Sequence, residues 1–293
     1  MIMRFLAVVL VVTLMACSAT EDTDCLKEGD QASNEGDYVS AIRIFTRCIK
    51  SNPESITSYF KRGSIYMEKS QPEQAIDDFT KVIQLNADYA QAHFKLAVIL
   101  TGQKKLDIAI QHYNTFIELN PGEPKAYKNR GSIYKNKGQY ALAIEDLSKA
   151  IEISPQYTAA YNSRGDSHHA QRQFTAAIRD FSTLIELQPD SAIAYSKRAN
   201  SYAYNRQYEL AIEDFSRSLQ LNPSLSILLK PRMSDTYHKR GLYLESEGQR
   251  DRAIEDFNKA IELDPQNEQA HFDRDKVLSL LESDHEGYLH SRG

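Results

Sequence analysis

The chain has 293 residues, 41% hydrophobic and 26% charged, proportions ordinary for a folded soluble protein. Its net charge is −5 with both signs interspersed. That argues against nucleic acid as a partner, because nucleic-acid binding takes a concentrated basic surface.

Arg4 precedes an apolar run over Phe5–Met15. The run is too short to cross a bilayer, which takes about 20 residues, so it reads as an export signal over residues 1–16. Leu14-Met15-Ala16-Cys17 resembles a bacterial lipobox, with Met15 departing from the usual small residue. The resemblance implies lipid on the Cys17 thiol and attachment to a bacterial membrane. Ser18 stands where enteric lipoproteins retained at the inner membrane carry aspartate, which implies the outer membrane, facing the periplasm. Ordinary cleavage near Ala19, releasing a freely secreted protein, is the alternative. Residues 17–24 form a short linker; Ser18–Asp24 fully stretched reaches roughly 23–25 Å, which keeps the folded part of the chain close to the bilayer.

From about residue 22 to 283 the chain repeats every 34 residues. Small residues recur at Gly29, Gly63, Ala97, Gly131, Gly165 and Ala199. A second series runs Ala41, Ala75, Ala109, Ala143, Ala177 and Ala211. A third places Pro53, Pro121, Pro155, Pro189 and Pro223, with Ala87 in the one gap. After an insertion over 226–233 the series resume at Gly241, Ala253 and Pro265. A fixed period of this length predicts stacked helical hairpins, each needing its neighbours to bury its apolar face. Within 124–157, Tyr127, Gly131 and Tyr134 share one face of a first helix. Gly138-Gln139 makes the turn. Ala143, Ile144, Leu147, Ala150 and Ile151 face inward from a second helix, which Pro155 ends.

This ordered set of aromatic, small, aromatic, alanine, large apolar, small and proline resembles the tetratricopeptide repeat (TPR) family. The repeats read as 22–55, 56–89, 90–123, 124–157, 158–191, 192–225 and 234–267. A capping helix over 268–283, with Phe272, Leu278 and Leu281, and a polar, flexible tail over 284–293 complete the chain. The resemblance implies an all-α fold: a right-handed superhelix of about seven hairpins whose first helices line a concave groove. It also implies binding of a protein or peptide without catalysis or cofactor.

Five repeats carry an arginine before the small residue and an aspartate sixteen positions later: Arg62 and Asp78, Arg130 and Asp146, Arg164 and Asp180, Arg198 and Asp214, Arg240 and Asp256. The first repeat has Glu28 and Ile44 at these positions and the third Leu96 and His112, so both partners are missing together. Antiparallel helices bring the two positions to similar heights, which predicts a structural ion pair inside each of the five hairpins. The other reading has the arginines grip a ligand carboxylate.

The expected groove residues follow the first aromatic of each repeat: Phe60, Phe94, Lys125, Lys128, Asn129, Asn162, Asp166, Asn200 and His238. They make an apolar N-terminal end and a hydrogen-bonding centre. An unused, solvated face is the alternative. Cys25 and Cys48 lie at facing phases of the first hairpin, and an exported protein can keep a disulfide there; two small buried thiols are the alternative. The insertion holds Ile227, Leu228 and Leu229 near Pro231. It reads either as a contact for a partner or membrane, or as a helix extension that Pro231 breaks. No phosphate loop, Cys-x-x-Cys or His-Glu-x-x-His is present. His168 and His169, adjacent on a helix, point about 100° apart and read as no metal site. The expected function is therefore a non-catalytic scaffold, held on the envelope by lipid, that binds a partner protein or peptide. A secreted interaction protein without lipid is the alternative, and an enzyme the remoter one.

Overall fold

The computed structural model describes the backbone of residues 24–290 and side chains as far as 283. The expected signal over 1–16 and the lipid-bearing Cys17 lie outside the described residues. All regular structure among the described residues is helical. The helices follow in pairs: α1 over 24–34 and α2 Tyr38–Ser51, α3 Ile56–Glu68 and α4 Pro72–Leu85, α5 Ala90–Gly102 and α6 Leu106–Leu119. Then come α7 Pro124–Asn136 and α8 Tyr140–Ile153, α9 Thr158–Ala170 and α10 Phe174–Leu187, α11 Ala192–Tyr204 and α12 Tyr208–Leu221, α13 Ser226–Ser246 and α14 Arg250–Leu263, and last α15 Glu268–His290. The chain divides into two compact units between Ile133 and Tyr134.

Each second helix buries one stripe at helical spacing, as in Ala75, Phe79 and Val82 of α4 or Ala177, Phe181 and Leu184 of α10. Phe45, Phe79, Phe181 and Phe257 of these stripes lie on Gly29, Gly63, Gly165 and Gly241 of the partner helices. A methyl group on Gly165 would fall 2.7 Å from Phe181 Cε1, and one on Gly241 2.6 Å from Phe257 Cε1. The turns reuse one left-handed position. Gly36, Gly138 and Gly248 hold it at φ 78°, 72° and 75°, while Ser70, Lys104, Arg172 and Arg206 take it at φ 57–61°.

Two sequence expectations are corrected here. The insertion does extend a helix, but Pro231 does not break it: after a short 3₁₀ turn at Pro223–Leu225 it forms the first two turns of α13, and Pro231 lies inside that continuous helix. Pro231 removes one backbone donor, but its would-be acceptor belongs to Ile227, which is 89% exposed and open to water. Leu229 and Met233, both buried against Phe215 of α12, hold the extension in place. At the C-terminus α15 runs to His290, past the expected end of the cap at 283.

Candidate functional site

Four arginines grip their own hairpin's aspartate with two hydrogen bonds each. Arg62 Nε and Nη2 donate to Asp78 at 2.9 and 2.7 Å, and Arg164 to Asp180 at 3.0 and 2.7 Å. Arg198 bonds Asp214 at 2.7 and 2.9 Å, and Arg240 bonds Asp256 at 2.7 Å through both nitrogens. The fifth predicted pair, Arg130 and Asp146, falls with one partner in each unit. The aspartates are buried and the arginines lie over tyrosine rings, Arg164 5.7 Å from the Tyr161 centroid. The bond to Asp78 holds the Arg62 guanidinium above its ordinary value. Burial pushes the Asp78 carboxyl up, against the pull of the Arg62 hydrogen bonds and charge.

The sequence reading missed the third arm of each arginine. Arg62 Nη1 donates to Thr46, Arg130 to Asn114, Arg164 to Ser148 and Arg198 to Ser182, each on the second helix of the preceding repeat. These partners stand sixteen residues before the arginine, so the signal was present in the spacing. At Arg240 the insertion breaks that spacing. Ser216, the equivalent hydroxyl, bonds the Ile212 carbonyl, and Arg240 Nη1 lies 3.6 Å from Glu209. In this arrangement the arginines are occupied by the scaffold and offer little to a ligand.

Where the motif is missing, other polar pairs stand in. Glu28 of α1 pairs with Arg47 of α2. Beside it Cys25 and Cys48 are bonded, with Cα atoms 5.9 Å apart. In the third repeat Leu96 is buried and His112 Nδ1 lies 3.0 Å from His93 Nδ1. His93 Nε2 faces the Ala87 carbonyl at 3.0 Å and must carry the hydrogen, which leaves its Nδ1 as acceptor for His112. Burial, and then the His93 charge, hold His112 below its ordinary 6.5. The unfolded chain then takes up the proton first as pH falls. The stability that neutral His112 contributes is therefore complete above about 6.5 and is lost as pH falls through the lower folded value. Urea unfolding at pH 7.5 and 5 should show wild type losing more stability on acidification than His112→Asn; equal losses would discount the pair.

The expected groove residues separate into four groups. Phe60 and Phe94 are half-buried in aromatic clusters, Phe60 5.1 Å from the Tyr89 ring and Phe94 5.0 Å from Phe116. Lys125 is exposed, and half-buried Lys128 and Asn129 are linked to each other, Asn129 also donating to the Tyr113 hydroxyl at 3.1 Å. His238 is corrected: it is only 7% exposed and its Nε2 lies 2.7 Å from Asp273 of α15. The terminal helix covers the face that His238 would otherwise have offered.

Asn162, Asp166 and Asn200 do come together, in the second unit. Lys197 Nζ donates to Asn162 at 2.8 Å and to both oxygens of Asp166 at 2.7 and 2.9 Å, and Lys135 reaches Asp166 at 3.2 Å. Asp166 and Lys197 also line a 370 Å³ cleft between α9, α11 and α13. Its α9 wall carries Asp166 and His169, its α11 wall Lys197, Asn200 and Tyr204, and its α13 wall Arg232, Asp235 and Lys239. His169 Nδ1 lies 3.0 Å from Ser201 Oγ, and burial holds its pKa below 6.5. Tyr204 is 58% exposed and stacks on Phe174. Of the wall residues, sequence reasoning missed His169, Lys197, Tyr204 and those of α13. It tracked Asp166 and Asn200, one position on each first helix, and the insertion hid the α13 register.

Repeated helix pairs with a ligand-sized cleft along their first helices define a helical-repeat protein. Models described as tetratricopeptide repeat match residues 60–124, 124–157, 192–225 and 234–267, more than half of the chain, and the protein belongs to the TPR family. Among solved structures the MamA protein is 27% identical, covering 58% of this chain and 93% of its own, with a TM-score of 0.55. The C-terminal part of a TPR repeat-containing protein from Cytophaga hutchinsonii is 21% identical over 84% of this chain and 97% of its own, TM-score 0.64. YrrB, described as a TPR protein with an unusual peptide-binding site, is 20% identical over 61% and 92%, TM-score 0.57. The last two establish the fold alone, an all-α TPR solenoid. No curated protein matches the chain.

Proposed function

We propose that the protein is a non-catalytic scaffold that holds a partner protein or peptide, exported and attached by lipid on Cys17 to the outer membrane of a bacterium, facing the periplasm. TPR proteins are protein-interaction scaffolds, and this chain's membership of the family supports binding as its role. The observation that carries the reading is the cleft between α9, α11 and α13, where three successive first helices direct polar and aromatic side chains into one space. Arg62, Arg164, Arg198 and Arg240, the charged groups repeated along the array, are bound to buried aspartates and serve stability.

The lipid anchor rests on Leu14-Met15-Ala16-Cys17. A Cys17→Ser variant should leave the membrane fraction, and globomycin should block processing of the wild-type chain. Release of the wild type into the medium, with processing that globomycin does not affect, would support secretion without lipid. Affinity capture from detergent-solubilised membranes and mass spectrometry of the captured proteins test the scaffold role.

A further inference from the structure

The eight extra residues at 226–233 do more than lengthen a helix. They carry Arg232 to the wall of the cleft, alongside Asp235 and Lys239. The charges there do not cancel. Asp166 is shared by Lys197 and Lys135, and Asp235 accepts from Lys239 at 2.7 Å. Arg232 is exposed and pairs with no carboxylate among the described residues. Two aspartates thus face four cations, and Arg232 is the one of the four without a carboxylate partner, although the chain as a whole is acidic at −5.

Beside that charge lies an apolar platform. The Tyr204 ring, 58% exposed, stacks on Phe174 at 5.4 Å and 20° and lies 5.3 Å from the His169 ring and 5.5 Å from Lys239 Nζ. Asn200 donates its amide to the Ser196 carbonyl at 2.8 Å, which leaves its Oδ1 as an acceptor for a peptide N–H. A fork of donors, an exposed ring and a side-chain acceptor for a peptide N–H together suit one ligand chemistry.

We propose that this cleft binds a peptide segment of a partner, with an acidic side chain on Arg232 and an adjacent aromatic or aliphatic side chain against Tyr204. This rests on the scaffold reading and names the chemistry of its partner. The insertion is then what makes the site: a regular 34-residue repeat would not include the residue that supplies the guanidinium.

The test uses the full chain and fluorescein-labelled synthetic peptides in anisotropy titrations. The parent probe is Gly-Ser-Glu-Phe-Ser-Gly, with one version replacing Glu by Gln and another replacing Phe by Ala. The Glu peptide should bind about tenfold tighter than the Gln peptide, as a charge-assisted contact implies. Arg232→Gln should abolish that gap and Arg232→Lys should keep part of it. Tyr204→Ala should weaken the Phe peptides and leave the Ala version little changed. Lys230→Gln, exposed on the same helix and outside the cleft, should change nothing, and circular dichroism should show every variant folded.

Equal binding of the Glu and Gln peptides, or a gap that survives Arg232→Gln, would overturn the proposal while leaving the scaffold role standing. Binding of phosphatidylglycerol vesicles, but of no peptide, in an Arg232-dependent manner would overturn it in favour of a membrane contact. Absence of any peptide binding overturns it as well, and an empty affinity capture besides would remove the scaffold reading with it.

Discussion

An Asp180→Ala variant is expected to lose about 3–5 kcal/mol of unfolding free energy in the second unit. Asp180 is 2% exposed and takes two hydrogen bonds from Arg164, whose remaining arm is bonded to Ser148 of the preceding repeat. Removing the carboxylate leaves a guanidinium, itself only 20% exposed, with two donors facing a void. Replacing both partners by apolar residues, as in Arg164→Met with Asp180→Leu, should cost less than the single change, because no charge is then stranded. Urea unfolding monitored by circular dichroism measures both. A loss below about 1 kcal/mol for Asp180→Ala would mean that water reaches the pair and screens it. Since each arginine also crosses to the preceding hairpin, the damage should spread: hydrogen exchange in α8 should speed up together with that in α9 and α10. A pair confined to its own hairpin would leave α8 protected.

Phe257→Ala is expected to cost about 3–5 kcal/mol, the usual range for emptying a buried ring. Phe257 has no exposed surface and fills the space above Gly241. The glycine and the ring are one packing unit, which gives the prediction a second half. In the wild type, Gly241→Val should destabilise by about 1–3 kcal/mol, because its first added carbon already meets the ring at 2.6 Å. In the Phe257→Ala background the same change fills the vacated space and should recover part of the loss. Thermal unfolding of the four proteins checks this; strictly additive effects would show that Gly241 and Phe257 do not share a space.

Much of this was legible in the sequence because each repeat solves one local problem in the same way. Gly165, Ala177 and Phe181, like Gly241, Ala253 and Phe257, recur at fixed spacing because a helix pair can approach closely where a small residue faces the ring. The pairing of Arg164 with Asp180 was readable for a similar reason: both residues vanish together in the repeats that carry Glu28 or Leu96. The site was less readable. Asn162 and Asp166 could be placed on a first helix, but their partner Lys197 comes from the neighbouring repeat, and the distance between repeats is written nowhere in one repeat's pattern. His238 was misplaced because its burial depends on Asp273, a residue of the terminal helix whose own contacts follow no repeat.

The 34-residue period by itself determined that the chain forms helix pairs, where each pair turns, and which residues form its core. Those features depend on contacts within about one repeat, where spacing along the chain and distance in space nearly coincide. Only the tertiary structure decided that Pro231 rides inside α13, that α15 seals His238, and that Arg232 reaches the wall opposite Asp166. In each case the deciding term is packing that the regular repeat does not contain: Leu229 and Met233 burying themselves on Phe215 outweigh one lost backbone hydrogen bond.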